Sequence, residues 1–151
     1  MNNLDSRTLT IKRTFDTPVD LVWNAWTQAE HLSQWWGPPG MNVDIQEHNL
    51  NVGGTWKYVM QMPDGNDFIS EGKYSEIVEL QKIVTSADFK PMTEGVELQL
   101  HFEDNDGKTE FTFKCVHATE EYSKQQENMG FYKGWGSAFD RLENHINALM
   151  K

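Results

Sequence analysis

Five histidines, one cysteine and a set of aromatic rings, two of them carrying inward hydroxyls, are the groups in this sequence whose types and spacing could do chemistry. A metal site needs converging ligands, which a sequence shows as short spacings such as HExxH, His-x-His or a cysteine pair. His31, His48, His101, His117 and His145 show none of these. No metal and no cofactor is expected. A catalytic thiol needs a base beside it. Cys115 falls on the apolar side of a strand pattern, where burial raises a thiol's pKa, and no histidine is placed to activate it. It reads as a small hydrophobe. A serine nucleophile needs a tight strand-to-helix elbow, whereas Ser137 follows Gly136 inside a helical pattern and lacks the GxSxG frame. No catalytic residue is therefore expected. What remains is a face of large rings with a few polar groups among them, the composition of a small-molecule site.

The elements that carry those rings can be read from periodicity. Thr8 to Phe15 alternates polar and apolar residues, which predicts a half-buried strand. Thr17-Pro18-Val19-Asp20 predicts a helix capped by Thr17, with Pro18 in its first turn. Thr27-Gln28-Ala29-Glu30 predicts a second capped helix, ending at Gly37-Pro38-Pro39-Gly40. Trp35 and Trp36 close that helix. One is expected to pack inward and the other to stay partly exposed, a gate over a cavity being the alternative.

From Met41 to about His117 the pattern is all strand. The stretches are Met41–Leu50, the two arms of a hairpin around Pro63-Asp64-Gly65, Leu80–Phe89, and the two arms of a hairpin around Asp104-Asn105-Asp106-Gly107. In the first hairpin, Gly65 at a positive φ pairs Met60 with Phe68, Tyr58 with Ser70 and Trp56 with Gly72. One face then carries Trp56, Tyr58, Met60, Phe68 and Tyr74, beside the small Ser70 and Gly72. In the second, a four-residue loop sets Leu100 opposite Phe111, Leu98 opposite Phe113 and Val96 opposite Cys115.

Ser123-Lys124-Gln125-Gln126 predicts the start of one long final helix. Its apolar stripe runs through Tyr132, Trp135, Phe139, Leu142, Ile146 and Leu149. Gly130, Gly134 and Gly136 predict close packing or a bend near its start. The expected architecture is α+β: one strand, two short helices, six more strands and a long helix covering a mostly antiparallel seven-stranded sheet. A single domain over residues 1–151 is expected.

Bulk properties narrow the function classes. The chain has 151 residues and a formal net charge of −10, so phosphate backbones are repelled and nucleic acid is not an expected partner. No apolar run approaches the ~18 residues that span a membrane. The N-terminus lacks a signal pattern, and a single cysteine allows no internal disulfide. A cytoplasmic protein is expected.

Several of these segments resemble a known family. They are Phe15 to Thr27, Glu30 to Pro38, Gly53-Gly54-Thr55-Trp56, Pro63-Asp64-Gly65, Gly72 to Ile77, Gly134-Trp135 and Asp140-Arg141-Leu142. The resemblance is to the SRPBCC (START-like, helix-grip) superfamily. Within it, the similar group is that of the C-terminal domain of the activator of the ninety-kilodalton heat-shock-protein ATPase. It implies a curved sheet gripping a long helix, with a cavity between sheet and C-terminal helix that relatives use for lipids, hormones or polyketides. On this chain the cavity is expected to be lined by Trp36, Trp56, Tyr58, Met60, Phe68, Ser70, Tyr74, Phe113, Met129, Tyr132 and Trp135. The leading functional expectation is binding of a small hydrophobic or aromatic ligand. The alternatives are a co-chaperone-like protein-interaction module and a cyclase/hydratase-type enzyme using the same cavity.

Overall fold

The computed structural model describes residues 6–36, 43–61, 64–90 and 93–149. Seven strands form one sheet: β1 (Thr8–Phe15), β2 (Val43–His48), β3 (Thr55–Gln61), β4 (Asp67–Val78), β5 (Lys82–Lys90), β6 (Thr93–Asn105) and β7 (Lys108–Val116). Their order is β1-β7-β6-β5-β4-β3-β2, antiparallel throughout. Two helices, α1 (Val19–Thr27) and α2 (Ala29–Trp35), carry the chain from β1 at one edge to β2 at the other. Two more, α3 (Glu120–Asn128) and α4 (Phe131–Leu149), follow the sheet.

Alternation along the strands puts apolar side chains on one face: Trp56, Tyr58 and Met60 in β3, Ile83, Ala87 and Phe89 in β5, Val96, Leu98, Leu100 and Phe102 in β6, and Phe111, Phe113 and Cys115 in β7. The helices cover that face through rings. Trp26 of α1 lies 5.5 Å from Phe111 and 6.0 Å from Phe139 of α4, and Phe139 meets Phe113 edge-on at 5.3 Å. Edge-to-face contacts of this kind add to the area that they bury.

The register of β3 with β4 follows the sequence expectation: Trp56 opposes Gly72, Tyr58 opposes Ser70 and Met60 opposes Phe68, with Gly65 at φ +87°. The β6–β7 hairpin departs from it by two residues. Leu100 faces Phe113, Leu98 faces Cys115 and Asn105 faces Lys108. The connection is the two-residue Asp106-Gly107 turn, with φ values of 55° and 87°. Positive φ at both central positions is the tight hairpin turn whose twist matches that of its strands, and Asp-Gly favours it. A slip of two preserves which residues face inward, because the side-chain period is two.

The capping boxes expected at Thr27 and Ser123 do not form. The N-cap position of α1 is Pro18 rather than the expected Thr17. The Thr27 hydroxyl turns back to donate to the Trp23 carbonyl at 2.8 Å, ending α1 rather than opening α2. The helix expected from Ser123 begins at Glu120, where the Thr119 side chain accepts from the Tyr122 N–H at 3.1 Å. The single long helix is in fact two, separated at Met129-Gly130, because Gly130 adopts φ +100°. That left-handed conformation satisfies a helix end and suits glycine. Both Trp35 and Trp36 are buried, against the expectation of one exposed ring. The Gly37–Gly40 stop, Met41, Met62 and Pro63 lie outside the described residues.

Gly134 and Gly136 do not mark close packing, since a Cβ on either would meet nothing within 4 Å. Their helical backbone is one that alanine adopts readily. Gly134→Ala is therefore expected to stabilise the protein by about 0.5–1 kcal/mol, the helix-propensity difference. A urea denaturation midpoint that stays put or falls would show that the Gly134 face is occupied.

Candidate functional site

Among the described residues, a partly open recess of the interior is lined by rings and branched side chains. Its walls are Trp26, Leu32 and Trp36 from α1, α2 and the residue after α2; Trp56 and Tyr58 from β3; Tyr74 from β4; and Ile83, Thr85, Leu98 and Leu100 from β5 and β6. The cavity has a volume of about 30 Å³, room for one or two waters. It lies beneath α1 and α2. The C-terminal helix supplies none of these lining residues, so the cavity is displaced from the sheet–α4 interface that the sequence suggested.

Four of the expected residues line it: Trp36, Trp56, Tyr58 and Tyr74. Met60, Ser70 and Phe113 are buried elsewhere in the core, and Phe68 is half-buried. Trp135 packs on Trp36 at 5.7 Å and on Phe113 at 4.6 Å, behind the cavity wall. Met129 and Tyr132 lie on the surface at 55% and 45% exposure, because the break at Gly130 turns them outward from the stripe. Sequence reasoning missed Trp26, whose i, i+4 spacing from the equally buried Val22 is the signal that could have found it. It also missed Leu98 and Leu100, which its own register already put on the inner face.

The polar groups of the cavity are few and mostly partnered. Trp56 donates from Nε1 to the Thr85 hydroxyl at 2.8 Å, and that hydroxyl donates to the Ser86 carbonyl at 2.8 Å. The Tyr58 hydroxyl meets Nδ1 of His48 at 2.8 Å, while Nε2 of His48 makes a short contact to the Thr27 carbonyl. Burial pushes the Tyr58 hydroxyl well above the ordinary tyrosine range and the Tyr74 hydroxyl up to about 12, so both stay protonated. Trp26 differs: its Nε1 is buried with no hydrogen-bond partner among the described residues.

The wall formed by α2 is tied to α4 at two points. Nδ1 of His31 meets Nε2 of His145 at 2.9 Å, and Arg141 donates to the Gln34 carbonyl at 3.1 Å and to the Trp36 carbonyl at 3.3 Å. In such a contact one ring nitrogen donates and the other accepts, according to the tautomers.

His117, directly after β7, is buried with Nε2 3.7 Å from the Cys115 sulfur. A histidine does therefore stand beside the cysteine. Burial nevertheless pushes the Cys115 thiol up to about 12, which leaves it unionised and inert at neutral pH. Among the described residues no three His, Cys, Asp or Glu side chains converge as metal ligands would. No described helix is long and apolar enough to cross a membrane.

These histidines predict the acid limb of stability. Burial lowers the pKa of His145, reinforced by His31. It also lowers that of His101, reinforced by Lys114 and Lys82, and that of His117, partly offset by the Arg7 carbonyl. Each folded pKa lies below the ordinary 6.5, so between the two values the unfolded chain binds more protons. Stability is then full above the unfolded pKa and is lost as pH falls through 6.5 toward the folded values, by up to about 1.4 kcal/mol per pH unit for each proton of difference. Urea midpoints measured from neutral pH down to about pH 5 should fall, and less steeply in His145→Gln. A flat profile would contradict this.

A sheet wrapped on a long C-terminal helix, with two short helices after the first strand and an aromatic interior, defines a helix-grip domain. The chain belongs to the family of activator of Hsp90 ATPase homolog 1-like proteins, whose profile matches residues 16–147. Solved structures with the same fold include a protein from Nitrosomonas europaea at 27% identity and TM-score 0.85, covering 96% of this chain and 97% of that one. Another, from Mycobacterium smegmatis, has 26% identity and TM-score 0.86, covering 99% of this chain and 96% of that one. An AHSA1-like protein from Aeromonas hydrophila is similar in fold at 19% identity and TM-score 0.75, covering 94% of this chain and 93% of that one. No curated protein sequence matches the chain.

Proposed function

We propose that this chain binds a small, mostly apolar molecule in the cavity beneath α1 and α2. The observation that carries the reading is the lining itself: indole, phenol and branched aliphatic side chains, with the Tyr58, Tyr74 and Thr85 hydroxyls as isolated polar points. The ligand-free cavity of about 30 Å³ is too small for a lipid, so an occupant larger than water must part the rings. Trp36 bears on that step because its ring touches Trp26, Trp35, Trp56, Tyr58 and Trp135. Any occupant that shifts Trp36 disturbs several indoles at once.

The test is native mass spectrometry of protein purified from its own host, followed by tryptophan fluorescence titration with small aromatic compounds and short fatty acids. A co-purifying mass, or saturable quenching that Trp56→Ala abolishes, is expected. A clean ligand-free mass together with no quenching across the panel would sink the reading.

The near-filled cavity favours a second reading, a protein-interaction module. Tyr122, Met129 and Tyr132 stand exposed on α3, at the α3–α4 break and on α4, and could supply its contact. Capture of a defined partner that Tyr132→Ala weakens, with an empty cavity, would select this reading.

A further inference from the structure

The hydroxyls that line the cavity have hydrogens that can be counted. Granted the cavity reading above, on which this inference rests, the count says what an occupant must offer. Tyr74 is hydrogen-bonded to Tyr58, Tyr58 to Nδ1 of His48, and Nε2 of His48 to the Thr27 carbonyl. A carbonyl can only accept, so a neutral His48 carries its hydrogen on Nε2 and a lone pair on Nδ1. Tyr58 has one hydroxyl hydrogen, and that lone pair takes it. Tyr74 must therefore be the donor in the bond between the two tyrosines. Its own oxygen is left with lone pairs and no free hydrogen. Thr85 is committed as well: it donates to the Ser86 carbonyl and accepts from Trp56. In this state none of the hydroxyls lining the cavity has a hydrogen to give.

Trp26 has the opposite need. It lines the same cavity and is 6% exposed, and its buried Nε1–H finds no acceptor among the described residues. A buried donor left unpaired is costly, and an acceptor brought by an occupant removes that cost. A hydrocarbon serves neither Trp26 nor Tyr74. An ether or a carbonyl serves Trp26 alone. A hydroxyl serves both, because its oxygen accepts and its hydrogen donates. No Asp, Glu, Lys or Arg lines the cavity, so a charged ligand would lose its water without gaining a counter-charge. We propose that the cavity selects a neutral phenol or small alcohol, whose hydroxyl accepts from Trp26 and donates to Tyr74.

Two matched pairs of probes test this at about pH 8, where free imidazole and phenol groups are both mostly neutral. Phenol against toluene exchanges a hydroxyl for a methyl group. Anisole against ethylbenzene exchanges an ether oxygen for a methylene, which adds an acceptor without a donor. Binding is followed through the indole N–H signals in nitrogen-15 NMR spectra. Phenol is expected to bind at least roughly fivefold more tightly than toluene, the low end for relieving an unpaired buried donor. Anisole should gain less over ethylbenzene, because it offers Tyr74 nothing. The Trp26 N–H signal, assigned by its loss in Trp26→Phe, should move downfield with phenol and anisole and stay in place with the hydrocarbons. Tyr74→Phe should reduce the phenol preference to that of anisole.

Phenol binding no better than toluene, or leaving the Trp26 N–H signal in place, overturns the inference and leaves the cavity reading standing. So does a Tyr74→Phe protein that keeps the whole phenol preference. Should that variant fail to fold, the parent protein decides the same point: an anisole preference equal to that of phenol means that Tyr74 accepts nothing. Binding of none of the four compounds overturns the cavity reading and this inference with it.

Discussion

Gly72→Ala is expected to unfold the protein or to cost it about 3 kcal/mol or more, at or beyond the upper end of ordinary overpacking costs because the obstacle is backbone. Gly72 sits in β4 opposite Trp56 of β3. A Cβ there would fall 1.8 Å from the Ser86 carbonyl oxygen, 2.8 Å from its carbon and 2.9 Å from Trp56 Nε1. Flexible side chains yield to such an approach, but a carbonyl of the neighbouring strand yields only if β4 and β5 separate. That movement would also pull Thr85 away from the Trp56 N–H that it satisfies. Urea denaturation with near-ultraviolet circular dichroism gives the answer. A Gly72→Ala protein within about 1 kcal/mol of the parent would mean that the strands do not approach this closely.

Trp26→Ala should be nearly as damaging, at about 3–5 kcal/mol, the usual cost of emptying a buried aromatic site. The ring is buried and stacks within 6.4 Å of Trp35, Trp36, Phe111, Phe113 and Phe139. Its neighbours belong to three different elements, α2, β7 and α4, and to the residue after α2, and cannot all collapse inward. The resulting space would join the existing cavity, which Trp26 helps to line. Added indole should therefore raise the melting temperature of the variant and not that of the parent, by mass action on the folded state. Trp26→Phe is expected to cost less than about 1.5 kcal/mol, because it keeps most of the ring and removes an N–H that has no acceptor among the described residues. If Trp26→Phe proves as damaging as Trp26→Ala, the indole N–H has a partner that the static structure does not display.

The two variants separate the roles of the site's walls. Gly72 allows the strands to close on one another, whereas Trp26 fills the space left between sheet and helices.

Much of the fold was legible in the sequence because it rests on local regularities. Period-two alternation from Thr8 to Phe15 and from Thr55 to Gln61, the α4 stripe through Phe139, Leu142 and Ile146, and the β3–β4 register all follow from which residues must turn inward. The β6–β7 pairing shows the limit of that logic. Alternation fixes a register only modulo two, and the choice among equivalent slips fell to the Asp106-Gly107 turn, whose backbone no hydrophobic pattern encodes. The caps were missed for a related reason. Thr27 and Ser123 have the chemistry to cap, but a hydroxyl near a helix can equally bond back to an earlier carbonyl, and only the packed structure chooses.

The site itself was half visible. That Trp56, Tyr58 and Tyr74 share an inner face was determined by the sequence alone. Where the space lies above them was a tertiary matter, settled by how α1 and α2 cross the sheet and by the turn at Gly130 that swings Met129 and Tyr132 into solvent. His48 bonded to Tyr58 and to the Thr27 carbonyl, His31 meeting His145, and His117 beside Cys115 are likewise contacts that residue spacing does not announce. Two of these join residues 21 and 114 positions apart, and such pairs come together only when whole elements dock.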